Sequence, residues 1–174
     1  MEYENIIHPF KPLYNAKSKI LILGTFPSVK SRETGFYYGH PQNRFWKVIA
    51  EITKSELPEN TAGKRRMLLS NNIAIWDVIA SCTISDSSDA TIRNVIPNDF
   101  TDILKKSAIT KIYANGAKSY ELYRKYAEEK TGIKAVKLPS TSPANAAWNC
   151  ERLCEAWKCI KAQKAELFIF ERSS

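Results

Sequence analysis

Lys19-Ile-Leu-Ile-Leu-Gly24 is a short, unbroken apolar run closed by a glycine. A strand buried on both faces of a parallel sheet has this pattern, because helices cover both sides and no position faces water. A long loop follows from Thr25 to Gln42, rich in Ser, Gly, Pro and aromatics. Asn43 then opens an amphipathic helix (Phe45, Trp46, Val48, Ile49, Ile52) running to about Lys54. The pattern repeats: a helix over Lys64–Ser70, a buried strand over Ile73–Ile79, and a polar loop over Ser81–Asp89. Asp99 and Phe100 begin a helix to about Ser107, and Ile109–Ala114 is a third strand, closed by Asn115-Gly116. Ser119–Lys130 is helical with Gly132 as its cap, and Ile133–Leu138 is a fourth strand. The loop Pro139-Ser-Thr-Ser-Pro-Ala144 leads into a long helix, Asn145–Ala162. Strands alternating with helices imply a three-layer α/β/α sandwich around a short, mostly parallel four-stranded sheet. In such sheets ligands bind beyond the carboxyl ends of the strands, and the three unusual loops all follow such ends.

At 174 residues, without repeat or linker, the chain is expected to be one domain over 1–174. Its apolar fraction of 44% and charged fraction of 25% are those of a soluble globular protein. No apolar run approaches the roughly 18–20 residues a membrane helix needs, and the N-terminus lacks a signal-peptide pattern. A cytoplasmic protein without a membrane partner, acting as a monomer, is therefore expected. The four cysteines are Cys82, Cys150, Cys154 and Cys159, the last three on one predicted helix. That spacing does not resemble a zinc knuckle, and reduced thiols are the expectation. The formal charge of +8 permits a polyanionic partner. Lys64-Arg65-Arg66, Lys105-Lys106 and the series Lys158, Lys161, Lys164 fit that role, and fit a solvated helix face equally well.

The loop after the first strand carries the chemistry: Gly24-Thr-Phe-Pro-Ser28, then Gly35-Phe-Tyr-Tyr-Gly-His-Pro-Gln-Asn-Arg-Phe-Trp46. Consecutive aromatics are costly to expose in a loop, and a stacking platform for a planar ligand explains them, as would a plug that pins the loop. Further blocks follow in order: Ile75-Trp-Asp-Val-Ile79, Ser87-Ser-Asp-Ala-Thr-Ile92 and Ser140-Thr-Ser-Pro-Ala-Asn145. Together they resemble the uracil-DNA glycosylase superfamily. The His-Pro-x-Asn-Arg-Phe-Trp stretch is similar to mismatch-specific uracil-DNA glycosylases, and the full pattern is most similar to the hypoxanthine-DNA (deoxyinosine) glycosylase branch.

The resemblance implies a monofunctional DNA-repair glycosylase that flips a deaminated base, most readily hypoxanthine, from DNA and hydrolyses its N-glycosidic bond. It implies no metal and no cofactor. Phe26 stands where related enzymes place an Asn or Asp that positions water, and Ser140-Thr-Ser142 stands where many have a His. The hypoxanthine branch supplies Asn43 instead; the same residue also suits a helix N-cap. The resemblance gives Tyr38 the role of stacking on the flipped base, with Phe26 beside it, and gives Asp77 a base-reading place. Asp77 could otherwise cap the loop Ser81–Asp89. Ser28, Ser140, Thr141 and Ser142 are expected on the DNA backbone, and Asn145 as a helix cap or a minor-groove contact. His40 could assist, though His-Pro more readily shapes the loop. A mismatch-specific uracil/thymine glycosylase and a non-catalytic DNA-binding member are the alternatives. An unrelated nucleotide-binding protein ranks lower, because no glycine-rich phosphate loop follows Leu23.

Overall fold

The computed structural model describes residues 2–85 and 89–161. Its centre is a four-stranded parallel sheet in the order β3-β2-β6-β7, built from β2 (Ile20–Gly24), β3 (Ile73–Asp77), β6 (Lys111–Asn115) and β7 (Ala135–Leu138). Every residue of β2 is buried, as the apolar run predicts. Its alternate side chains divide the interior. Ile20 and Ile22 join Ile73, Ile75 and Tyr113 under α2 (Phe45–Thr53), α3 (Thr61–Ser70) and α7 (Cys150–Trp157). Leu21 and Leu23 join Ala74, Ile112 and Ala114 under α4 (Thr101–Lys105) and α5 (Ala117–Tyr126). The mixed α/β layering with a parallel sheet is the predicted class.

The second face also carries something the sequence reading did not contain, a three-stranded antiparallel sheet in the order β1-β4-β5. Its strands are β1 (Glu4–Ile7), β4 (Ile79–Ile84) and β5 (Arg93–Pro97). The apolar run Ile73–Ile79 is thus not one strand. It ends at Asp77, turns at Val78, and re-enters as β4, which takes up the first four residues of the stretch read as a polar loop. The cause is visible in the register: Ile79, Cys82 and Ile84 point inward, and shifts between Ile79 and Ser81 and between Ser81 and Thr83 break the alternation. β1 is largely exposed and offers almost no apolar signal.

Other corrections are smaller. The loop Thr25–Gln42 contains a short helix, α1 (Val29–Thr34), capped by Ser28, whose Oγ accepts from the Ser31 amide at 3.1 Å. The predicted helix Ser119–Lys130 is α5 followed by a separate turn, α6 (Glu128–Thr131). The last helix begins at Cys150, not Asn145, and its cap is Asn149, whose side chain accepts from the Arg152 amide. Ser87, Ser88 and the predicted helix end at Ala162 with Lys164 lie outside the described residues. Among the described residues, no helix is long and apolar enough to cross a membrane.

Candidate active site

The carboxyl ends of β2, β3, β6 and β7 open into one cleft. Gly24, Phe26, Ser28, Tyr38, Asn43, Asp77, Asn115 and Ser140–Ser142 line it. The structure thus brings together all the site residues expected from sequence except Asn145, which is not among the lining residues and serves the loop instead. Its Nδ2 donates to the Ser140 carbonyl at 2.9 Å. His40 is not among the lining residues either; its Nδ1 accepts from the Gln42 amide at 3.1 Å, so it shapes the loop.

Asn43 sits just ahead of α2 with its carboxamide orientation set by its neighbours. Oδ1 accepts from the Phe45 amide at 2.9 Å and from the Thr141 hydroxyl at 2.9 Å. A backbone N–H can only donate, so this oxygen is the acceptor and Nδ2 is the part left to the cleft. Thr141 in turn accepts from Asn115 Nδ2 at 3.0 Å and gives its own amide to Asn115 Oδ1 at 3.0 Å. Thr141 is fully buried, with its hydroxyl spent in this chain of bonds. The loop behind it is held by Arg44, which donates to the carbonyls of Thr141, Ser142, Asn145 and Trp148. Few sequence cues reveal such a clamp, because a loop's carbonyls carry no residue signature. Ser140 and Ser142 each accept from an amide two residues on, which leaves their hydroxyl protons available to the cleft.

Tyr38 adopts φ 50°, an unusual backbone for a large side chain. Its ring stacks on Phe45 with centroids 3.9 Å apart, and Trp46 Nε1 donates to its carbonyl at 3.2 Å. Its hydroxyl is buried beside the Asn115 side chain, with no well-aligned hydrogen bond among the described residues. Burial, then the charge of Asp77, raises the Tyr38 hydroxyl well above its usual pKa, and the same causes raise Tyr37 further. Both phenols therefore stay protonated, and neither can serve as a base.

Asp77 ends β3 opposite Gly24 in register. Its Oδ2 lies 2.7 Å from His8 Nε2, and both side chains are nearly inaccessible, at 5% and 4% exposure. The carboxylate therefore meets a histidine, and among the described residues no amide of the loop Ser81–Asp89, the alternative partner, donates to it. A Cβ on Gly24 would stand 2.4 Å from Asp77 Oδ1, so only glycine lets this carboxylate reach the cleft floor. His8 and Asn115 are the residues sequence reading missed. The signal for His8 was thin: it is one of two histidines, in a segment with no helix or strand pattern of its own. Asn115 read only as the end of a strand.

Of the basic clusters, Lys64 and Arg65 lie over the rings of Trp46 and Phe36 at 5.0 and 5.1 Å, so they pack against the aromatic loop and α2. Among the described residues no group of His, Cys, Asp and Glu is placed to hold a metal.

Residues 11–161 match the model of the uracil DNA glycosylase superfamily. The chain is 31% identical over 155 residues to a hypoxanthine DNA glycosylase of Methanosarcina acetivorans, covering 87% of this chain and 95% of that one. It is 34% identical over 115 residues to a hypoxanthine DNA glycosylase of Methanosarcina barkeri, covering 64% of this chain and 72% of that one. Its fold matches the solution NMR structure of a Methanosarcina acetivorans protein described as a candidate uracil DNA glycosylase. That match has a TM-score of 0.75 at 30% identity and covers 89% of this chain and 96% of the other.

Proposed function

Since the chain belongs to the uracil DNA glycosylase superfamily, we propose that its cleft receives a deaminated base, hypoxanthine first, flipped from DNA, and hydrolyses its N-glycosidic bond. The carrying observation is that one cleft gathers an aromatic wall, a carboxylate and a carboxamide at the carboxyl ends of the parallel strands.

Cleavage of this bond builds cationic character on the sugar and negative charge on the departing base. Asn43 meets that charge as a donor: with Oδ1 occupied twice, its Nδ2–H bonds point to the base or to a water at the sugar. The amide-rich start of α2 lies beside it and favours the same anion. Tyr38 and Phe26 hold the base by stacking, worth roughly 1–3 kcal/mol per base, which offsets the cost of unstacking it from the duplex. Asp77 accepts the ring N–H, at N1 of hypoxanthine or N3 of uracil. Deamination turns that ring nitrogen from an acceptor into a donor, so an acceptor-only carboxylate separates lesion from parent base. Ser28, Ser140 and Ser142 hold the strand backbone; Thr141 and Asn145 bind it indirectly, through the loop they fix.

None of the lining residues carries an amine, so water and not a Schiff base completes the reaction, and the enzyme is monofunctional. The chain acts as a single glycosylase domain, as a monomer, in the cytoplasm. Incubation with duplexes carrying hypoxanthine, uracil, xanthine or a G·T pair, followed by alkaline scission of abasic sites, tests the reading. Scission is expected at hypoxanthine foremost. Scission at uracil or G·T alone would move the function to the mismatch-specific branch, and none at all would leave a DNA-binding protein.

A further inference from the structure

Beneath the cleft floor lies a histidine to which the reaction assigns no step. His8 follows β1 and is walled in by the rings of Phe10, Phe26 and Tyr37, at centroid distances of 5.7, 5.9 and 6.0 Å. Its Nδ1 accepts from the Phe10 amide at 3.1 Å. A nitrogen that accepts from an amide carries no proton, so the imidazole proton sits on Nε2, 2.7 Å from Asp77 Oδ2. The backbone of Asp77 is fixed as well, its carbonyl accepting from Asn98 Nδ2 at 2.8 Å. Among the described residues no hydrogen bond is donated to Asp77 Oδ1, which lies over Gly24 at the cleft.

We infer that His8 is a positioning and specificity-determining residue: by donating to Oδ2 it presents Oδ1 to the cleft as a fixed acceptor for the ring N–H of a deaminated base. This rests on the glycosylase reading and deepens it. A buried carboxylate with one oxygen tethered cannot turn away from a base that lacks the N–H, so such a base faces an uncompensated charge. Rejection then comes from the unpaired group as much as from the lost bond. The donor on His8 has a second consequence. In Asp77→Asn it would hold the carboxamide oxygen, turning the NH2 into the cleft and converting an acceptor into a donor.

The test is the ratio of single-turnover excision rates for hypoxanthine and for unsubstituted purine, whose N1 is an acceptor, each placed in the same duplex. The wild type, Asp77→Asn, His8→Phe and the double variant are compared with thermal melting alongside. The expected result is a preference for hypoxanthine in the wild type and a shift of roughly ten- to hundredfold toward purine in Asp77→Asn. Most of that shift should be lost when His8→Phe is added, because the amide is then free to flip. Where His8→Phe does not fold, His8→Leu stands in, since it fills part of the same apolar surround and donates nothing to the side chain at position 77. An equal shift with and without the His8 change overturns the inference and leaves the glycosylase reading standing. So does Asp77→Asn losing both activities in proportion. A wild type that excises neither base overturns both.

Discussion

Replacing Asn43 by Asp exchanges the cleft-facing NH2 for an oxygen and leaves an acceptor for Phe45 and Thr141 in place. The substitution separates two roles a catalytic carboxamide can play. If Asn43 serves by accepting a proton from water, a carboxylate is the better base and activity survives or rises. If it serves by donating, as its occupied Oδ1 requires, the donor is gone and a negative charge faces the departing base. Losing one donor to a developing anion costs on the order of 10²–10³ in rate. Asn43→Ala removes the donor too, but also leaves the Phe45 amide and the Thr141 hydroxyl without their acceptor. It should therefore lose about 1 kcal/mol of stability, as the removal of a cap does. In a chain of this size that is a fall of about 2–4 °C in melting temperature. Single-turnover excision of hypoxanthine and thermal melting, measured on both variants, separate the cases. The expectation is two near-inactive proteins, of which Asn43→Ala melts lower. Excision by Asn43→Asp at or above the wild-type rate would refute the donor role. Normal excision by Asn43→Ala with a lowered melting point would leave Asn43 a cap alone.

Tyr38→Phe keeps the stacking ring and removes a buried hydroxyl that lacks a well-aligned partner, so stability should hold or rise by up to about 1 kcal/mol and excision stay within a few-fold; Tyr38→Ala should lose excision. Gly24→Ala places a methyl 2.4 Å from Asp77 Oδ1 and should cost about 1–3 kcal/mol in melting experiments, with weaker excision. Arg44→Lys cannot reach the carbonyls of Thr141, Ser142, Asn145 and Trp148 together, so DNA affinity and melting temperature should fall together. DNA affinity of the wild type should fall linearly on a log–log plot against salt, since backbone contacts release counterions; a flat plot would oppose a strand-gripping role.

What the sequence made legible follows from where burial is two-sided. β2 declared itself because each of its residues is buried, and β3 and β6 because their central residues are; the edge strand β7 is buried only at Ala135 and Leu138. Two of the three loops after them, Thr25–Gln42 and Pro139–Ala144, do line the cleft; none of the described residues of Ser81–Asp89 does, because that stretch begins inside β4. The antiparallel sheet stayed hidden because bulges break the alternation of β4 and because β1 has little apolar content. The aromatic loop and Asn43 stood out as residue types that are costly or odd in a connection. His8 did not, because its meaning lies in a partner 69 positions away, and pairings across such separations leave no local pattern. The same holds for Arg44, whose ligands are carbonyls of a loop nearly one hundred residues on. The resemblance gives Asn43 a catalytic part and its position suggests a helix cap; the cap residue of α2 is Arg44, and Asn43, one residue before it, accepts from the Phe45 amide through Oδ1 while its Nδ2 has no partner among the described residues.

The location of the flipped base in a complex tests the central claim most directly. A duplex carrying 2′-fluoro-deoxyinosine resists cleavage of the glycosidic bond and can be crystallised with the wild-type protein. The account predicts hypoxanthine outside the helical stack, in the cleft at the ends of β2, β3 and β6. Its N1 should lie within hydrogen-bond distance of Asp77 Oδ1, and Asn43 Nδ2 should face the base or a water at the sugar. A base that remains stacked in the duplex, or one seated in the second cavity between Pro97 and Lys130, would contradict it.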